Sequence, residues 1–108
     1  MTAQQITLVV PLTPNFPGMS IGTYDDSLAE LEQGLITQFG GWTAVDGRGA
    51  WDEGLGDTFY EAVRVYTLAT HIGLSYEGLA TLRERVKVLL DQRVVYLAAY
   101  ALAEQPVQ

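Results

Sequence analysis

The fold is decided by residues 42–70, WTAVDGRGAWDEGLGDTFYEAVRVYTLAT. Within this stretch, segments 42–51 and 58–70 are rich in aromatic and β-branched residues, which favour strands. They flank residues 52–57, DEGLGD, whose glycines and aspartates are typical of a turn. A β-hairpin is therefore predicted.

The second hairpin strand has apolar residues on both of its faces. Because successive side chains of a strand point to opposite sides, two sets alternate. One set is Phe59, Glu61, Val63 and Val65, and the other is Tyr60, Ala62, Arg64, Tyr66 and Leu68. Neither set is purely polar, so this strand is expected to be covered on both sides.

The N-terminal part predicts a strand followed by a long loop. Ile6, Leu8 and Val10 alternate along a β-branched run that stops at Pro11, where the backbone has no N–H to donate. Three prolines and two glycines lie within residues 11–24, which predicts a loop that is long for so small a domain.

A first helix is predicted after this loop. The side chains of residues 25–27, DDS, suit a helix start, and the diglycine at residues 40–41 suits its end. Gly34 costs such a helix ~1 kcal/mol relative to alanine, so close packing of the helix against the sheet is expected there. The residues predicted to face the core are Leu28, Leu31, Leu35 and Phe39.

The C-terminal part predicts a second helix and a final strand. After a short connection at residues 71–75, an apolar stripe recurs at steps of three and four residues. Residues 93–103 mix strand-favouring with helix-favouring residues, and the order of the other elements decides for a strand. The stripe of the second helix consists of Leu79, Leu82, Val86 and Leu89.

The order strand, helix, hairpin, helix, strand predicts an α+β fold of the ferredoxin-like βαββαβ type. Its four-stranded antiparallel sheet carries both helices on one face. The first and last strands are expected at the centre of the sheet. The apolar residues on both sides of the hairpin favour burial of the other sheet face against a second copy, so a homodimer is expected.

Length and composition predict one domain, spanning residues 1–108. The absence of cysteine excludes disulfides, thiolate catalysis and sulfur-ligated zinc. The early apolar run, residues 6–12, is too short to cross a bilayer and no basic leader precedes it, so no membrane association and a cytoplasmic location are expected.

Charge is unevenly distributed along the chain. The net charge is −7, and residues 1–61 hold nine acids against Arg48 alone, or 1 − 9 = −8. Residues 62–108 hold four acids and five bases. Because nucleic-acid binding relies on clustered lysine and arginine, direct nucleic-acid binding is not expected.

The hairpin carries the pattern GG-W-T followed by G-x-G-x-W, formed by residues 40–43 and 47–51. With Glu61 and the strand at residues 63–66, this pattern resembles small uncharacterised ferredoxin-like domains of bacteria, phages and plasmids. The resemblance extends over about residues 5–103. It supports the βαββαβ fold and implies no particular activity.

Two groups of residues are candidate sites. An aromatic pocket that could bind a small anionic or aromatic molecule is predicted from Trp42, Arg48, Trp51, Tyr66 and His71. An acidic interaction surface is predicted from Asp46, Asp52, Glu53 and Asp57. No nucleotide loop, calcium loop or catalytic triad is found, and no cofactor is expected.

Three functions are compatible with these residues. The leading hypothesis is a non-enzymatic homodimeric interaction or small-ligand-binding module. The first alternative is an inhibitor encoded by a phage or other mobile element, whose acidic half occupies the nucleic-acid-binding groove of a basic host protein. The second alternative is a small dimeric enzyme, for which His71, Glu61 and Tyr66 are the candidate groups.

Overall fold

The computed structural model describes residues 3–15, 18–52, 54, 56–71 and 73–101. It confirms the α+β ferredoxin-like class and the predicted order of elements. The hairpin strands end within one residue of their predicted limits. The elements are β1 (Gln4–Pro11), α1 (Ile21–Phe39), β2 (Thr43–Asp52), β3 (Thr58–Thr70), α2 (Tyr76–Leu90) and β4 (Tyr96–Ala101).

The four strands form one antiparallel sheet in the order β2-β3-β1-β4. The strand prediction for residues 93–103 is confirmed at Tyr96–Ala101, and residues 102–103 lie outside the described residues. The central position expected for β4 was wrong, because β4 is an edge strand. A strand pairs with two neighbours at most. β1 pairs with β3 along one edge and with β4 along the other, and β3 also pairs with β2, so β1 and β3 are central and β4 is left at the edge of the sheet.

Helix α1 begins earlier than the sequence suggested. Its N-cap is Ser20, whose hydroxyl accepts a hydrogen bond of 3.2 Å from the Thr23 amide. The predicted start at residues 25–27 and the predicted loop end at residue 24 were therefore wrong. A serine hydroxyl can cap a helix as well as an aspartate can. The predicted helix end is confirmed, since Gly40 adopts φ 88° and its N–H bonds to the Ile36 carbonyl at 2.8 Å.

The hydrophobic core lies between the sheet and both helices. β1 contributes the alternating residues predicted for it, and α2 contributes Leu90 as a fully buried residue where the stripe predicted Leu89. Burial of these side chains is the main favourable term in folding. The core residues are Ile6, Leu8, Val10, Tyr24, Leu28, Leu31, Leu35, Tyr66, Leu68, Leu82, Val86, Leu90 and Val95.

Gly34 does not pack against the sheet, and the prediction for this residue was wrong. It is exposed, and a Cβ placed on it would meet nothing within 4 Å. It lines an open hollow of about 510 Å³ between α1 and α2, on the outer side of the helices. The glycine directly precedes the buried Leu35 and is rotated about 100° from it around the helix axis, so it lies off the buried face and no close contact requires it.

The sheet face that carries no helix is called the free face below. Its positions alternate with those that point into the core. Among the described residues, neither helix has the combination of length and apolar character that a membrane crossing needs. The free face consists of Gln5, Thr7, Val9, Pro11, Thr43, Val45, Gly47, Gly49, Trp51, Phe59, Glu61, Val63, Val65, Thr67, Ala69, Tyr96, Ala98 and Tyr100.

The β2–β3 hairpin extends beyond the rest of the sheet. The last residue pair between β1 and β3 is Pro11 with Val63, whereas β2 and β3 stay paired as far as Asp52 with Thr58. The end of the hairpin is therefore a two-stranded ribbon.

Candidate ligand-binding groove

The ribbon holds Trp51 flat against the free face. A Cβ placed on Gly49 would lie 2.9 Å from Cζ2 of Trp51 and 3.4 Å from Cγ1 of Val63. A side chain at residue 49 would therefore displace the indole ring. Glycine is the residue that permits this close approach.

A hydrogen bond fixes the orientation of the same ring. Trp51 Nε1 donates to Glu61 Oε1 at 2.8 Å, across the ribbon from β2 to β3. Trp51 is 45% exposed, although its ring lies close against the backbone of Gly49. The indole is thus a preformed aromatic surface with one side open to solvent.

Beside Trp51 lies a groove of about 670 Å³, within the range of small-ligand pockets. Phe59 and Tyr96 add two further rings that are about half exposed, and Val9 and Val63 contribute aliphatic surface from the central strands. Arg83 and Arg93 bring positive charge to the groove from the helical side. The remaining lining residues are Pro11, Asn15, Glu61, Gln92, Val94, Val95 and Leu97.

Glu61 is the one acidic residue among the described residues that line the groove. Its Oε1 atom accepts the Trp51 bond, and within the described part of the chain no partner of Oε2 is found. A carboxylate oxygen that is held in place and faces a groove is suited to accept hydrogen bonds from a hydroxyl or amino group of a ligand.

Tyr24 lies close to this groove and is fully buried. Its hydroxyl donates to the Pro11 carbonyl at 2.6 Å and accepts from Gln92 Nε2 at 3.3 Å. Burial raises the pKa of Tyr24 to about 12, and the negative charge of Glu61 adds to the increase. The Tyr24 phenol is therefore uncharged at neutral pH. Its hydrogen bond to the Pro11 carbonyl links α1 to β1.

A second polar cluster lies on the opposite, helix-covered side of the sheet. Arg64 donates two bonds to Asp46, of 2.7 and 3.1 Å, and one of 3.2 Å to Glu32 Oε2. The Tyr66 hydroxyl donates to the same Glu32 oxygen at 2.6 Å. Trp42 Nε1 donates to the Glu32 carbonyl at 3.0 Å, and its ring meets the Tyr66 ring edge-on.

These contacts shift the ionisation of the cluster. The hydrogen bond from Arg64 lowers the pKa of Asp46 and raises that of Arg64. Burial, with the hydrogen bond to Glu32, raises the pKa of Tyr66. A shallow hollow of about 450 Å³ adjoins the cluster. Since the donors of Arg64 and Tyr66 have acceptors within the cluster, we interpret it as a structural link between α1 and the hairpin.

The structure brings together two of the five residues predicted to form the aromatic pocket. Trp42 and Tyr66 are in contact, whereas Trp51 lies on the opposite sheet face. Arg48 is exposed beside Ala62 on the ribbon. His71 is exposed after the far end of β3, roughly 40 Å from the Trp51 end at the usual rise of ~3.3 Å per residue.

The residues of the predicted acidic surface have different environments. Asp46 is paired with Arg64. Asp52 lies at the end of β2, where its Oδ1 atom accepts a bond of 2.8 Å from the Gly54 amide, and Asp57 is exposed. Glu53 lies outside the described residues. In the described ranges, no group of three or more metal-ligating side chains of His, Asp or Glu is found.

No protein-family model and no curated protein matches the sequence. Solved structures of the same fold are found, however. A phage SAM lyase in complex with S-methyl-5'-thioadenosine has a TM-score of 0.63 at 16% identity, over 93% of this chain and 81% of that one. A phage SAM lyase in its apo state has a TM-score of 0.57 at 17% identity, over 91% of this chain and 79% of that one.

A bacterial protein has a similar backbone. The divalent cation tolerance protein CutA1 from Thermus thermophilus has a TM-score of 0.63 at 16% identity, and the alignment covers 96% of this chain and 87% of that one. These likenesses show a shared small ferredoxin-like fold. At such low identity they show the fold alone.

Sequence reasoning missed most of the groove. It identified Trp51 and Glu61 but assigned them to different hypotheses, it named Tyr96 only as one of several rings on the sheet, and it did not consider Phe59 or Arg93 as site residues. One signal in the sequence could have linked the first two. A turn at residues 52–57 places Gly49 opposite Glu61 and Trp51 opposite Phe59, which puts all four residues on one face.

Proposed function

We propose that this chain is a small-ligand-binding module that acts as a homodimer, and that its ligand is a planar aromatic molecule of nucleoside size. The observation that carries this proposal is the indole of Trp51, which lies over Gly49, is held there by its bond to Glu61 and is about half exposed. An aromatic surface that is already in place loses little conformational freedom when a flat ring stacks on it.

The polar groups of the groove fit the rest of a nucleoside. A carboxylate is the group that commonly receives the hydroxyls of a ribose. Glu61 lines the same groove and bonds to the indole through Oε1, so a ligand whose ring stacks on Trp51 can bring a ribose hydroxyl to the second carboxylate oxygen, Oε2. The phage SAM lyase of the same fold supports this choice, since it was solved with S-methyl-5'-thioadenosine.

Isothermal titration with S-methyl-5'-thioadenosine and with adenosine tests the proposal. We expect saturable binding of at least one of the two by the wild-type protein. Trp51→Ala should abolish the binding, and Glu61→Gln should weaken it about tenfold, which corresponds to ~1.4 kcal/mol. Glu77→Gln, on the first turn of α2 and outside the groove, is the matched control and should bind as the wild type does.

Failure of both compounds to bind at millimolar concentration would contradict the proposal. Equal binding by the Trp51→Ala and wild-type proteins would show that the ligand lies elsewhere. The same samples can be incubated with SAM and followed by mass spectrometry. Turnover of SAM by the wild type, lost in Glu61→Gln, would replace the binding module with the enzyme hypothesis.

The inhibitor hypothesis has less support from the contacts. Of the acids proposed for that surface, Asp46 is paired with Arg64, which leaves Asp52 and Asp57 as the described acids at the end of the hairpin. Two acids at the tip of a ribbon form only a small negatively charged surface for a basic protein partner to bind. We therefore rank the binding module ahead of the inhibitor.

A further inference from the structure

The free face has an apolar row that crosses all four strands. Val45 of β2 pairs with Val65 of β3, Val65 pairs with Val9 of β1, and Val9 pairs with Tyr96 of β4. Directly opposite side chains of neighbouring strands lie about 5 Å apart, so the four form a continuous band. Val45 at one end is 67% exposed, and Tyr96 at the other end is 54% exposed.

Charge is almost absent from this face. The chain carries 13 acidic and six basic residues. The free face, as defined above, holds only Glu61 of these, at the ribbon and away from the centre of the apolar row. Depletion of charge in the middle of a patch is the compositional sign of a protein interface.

We infer that the free face is an interface between copies of this chain. This inference rests on the homodimer in the proposed function and names the surface that forms it. With a net charge of −7, two copies repel each other wherever their acidic surfaces meet. The free face carries a single acid, Glu61 at the ribbon, so two copies can approach there with little repulsion between acids, and the apolar rows of two sheets can then pack at ~10 Å.

The size of the face fits a stable interface. Strands of 8, 10, 13 and 6 residues, at ~3.3 Å per residue and ~4.8 Å between strands, span roughly 600 Å² in projection. Because side chains project from the sheet, the solvent-accessible area of the face is larger than this projected area and approaches the ~800 Å² per partner of a standard interface. The ligand-binding groove adjoins this interface, because Val9, Trp51 and Tyr96 belong to both surfaces.

Sedimentation equilibrium of the full chain tests this inference. We expect the wild type to have at least twice the mass of one chain. Val45→Asp places a carboxylate on the apolar row at an exposed position and should weaken association at least tenfold, as should Val45→Lys. Val45→Thr has nearly the same size without charge and should remain associated. Val88→Asp places the same charge on an exposed position of α2 and should also remain associated.

Two results would overturn the inference. One is a wild-type protein that is monomeric at millimolar concentration. The other is a folded Val45→Asp protein, by circular dichroism, that associates as strongly as Val45→Thr. Titration of S-methyl-5'-thioadenosine separates this inference from the ligand proposal. A monomeric wild type that binds the compound would overturn the interface together with the homodimer of the proposed function, and would leave the ligand proposal standing. An associated wild type that binds neither test compound would overturn the ligand proposal and leave the interface standing.

Discussion

The Tyr66 hydroxyl of β3 donates a 2.6 Å hydrogen bond to Glu32 Oε2 of α1, at a sequence separation of 34 residues. Glu32 also accepts from Arg64, and its backbone carbonyl accepts from Trp42. Glu32 of α1 thus contacts Arg64 and Tyr66 of β3, and also Trp42, the residue before β2. This contact fixes the position of the helix relative to β2 and β3.

The first prediction concerns this bond. Tyr66→Phe removes the donor to a carboxylate inside a half-buried cluster, and we expect it to lower the free energy of unfolding by about 2 kcal/mol. Urea unfolding measures the change. Tyr60→Phe is the control, because Tyr60 is exposed on the ribbon, and it should change stability by less than about 0.5 kcal/mol. Equal stability of the two variants would show that the bond contributes nothing.

The second prediction is a pH dependence from Asp46. Arg64 lowers the pKa of Asp46 below its ordinary value of 3.8, so the ionised form stabilises the folded state. This contribution is present above the ordinary pKa and is lost as the pH falls through the folded-state value. The stability difference between the wild type and Asp46→Asn should therefore shrink as the pH falls from about 5 to about 2.

Urea unfolding across that pH range measures the difference. In an Arg64→Met background the aspartate has lost its partner, so Asp46→Asn should no longer give this pH-dependent difference. A difference that persists unchanged in that background would assign the effect to another group.

The third prediction concerns the core beneath α2. Leu90 is fully buried at the end of the helix, and Leu90→Ala should cost about 3 kcal/mol through lost burial and the cavity that remains. Val88 lies two residues earlier and is 78% exposed, so Val88→Ala should cost less than about 0.5 kcal/mol. Thermal unfolding of both variants tests the contrast. Similar losses of stability in the two variants would show that α2 turns a different side towards the core.

The fourth prediction concerns the two glycines of β2. Gly49→Ala forces the Trp51 ring away from its position, whereas a Cβ at Gly47 meets nothing within 4 Å. We expect Gly49→Ala to shift the indole N–H signal of one of the two tryptophans in a proton–nitrogen NMR spectrum, and to weaken ligand binding in the groove. Gly47→Ala should leave both indole signals in place. An unshifted signal in Gly49→Ala would contradict the contact of the ring with Gly49.

The fifth prediction concerns alkaline pH. Burial raises the pKa of Tyr24 from 10.0 to about 12. Between these values the phenol ionises in the unfolded chain but not in the folded one, so the free energy of unfolding should fall as the pH rises through this interval. Ultraviolet absorbance of tyrosinate should show a late step to which Tyr24 and Tyr66 contribute, and Tyr24→Phe should remove one tyrosine from that step. Tyr76→Phe, at an exposed position, should retain that step.

The elements of the fold could be predicted because each one depends on near neighbours in the chain. The alternation of Ile6, Leu8 and Val10 and the turn at residues 52–57 depend on residues two to six positions apart. The start of α1 was missed because Ser20 and the DDS segment at residues 25–27 carry the same capping signal. Only the packing of residues 21–24 decides between them, and Tyr24 is buried against Pro11.

The groove could be predicted only in part, because its residues come from separate parts of the chain. Trp51 and Glu61 share a hairpin, and the pairing register alone relates them. Tyr96 and Arg93 reach the same place only because β4 pairs with β1 at the outer edge of the sheet. The sequence contains no local signal for that neighbour, since the alternation within a strand is the same at a central and at an edge position.

The sequence by itself determined the α+β class, the order of the elements and the set of residues that alternate into the core. These features follow from side-chain periodicity, turn chemistry and chain length, which act over a few residues. The tertiary structure decided which strands are neighbours, which carboxylate pairs with Arg64 and which aromatic residues share the groove. Those outcomes depend on the pairing of segments far apart in the chain, such as Gln4 with Ala101, and the energy that selects them comes from contacts that form only after the chain has folded.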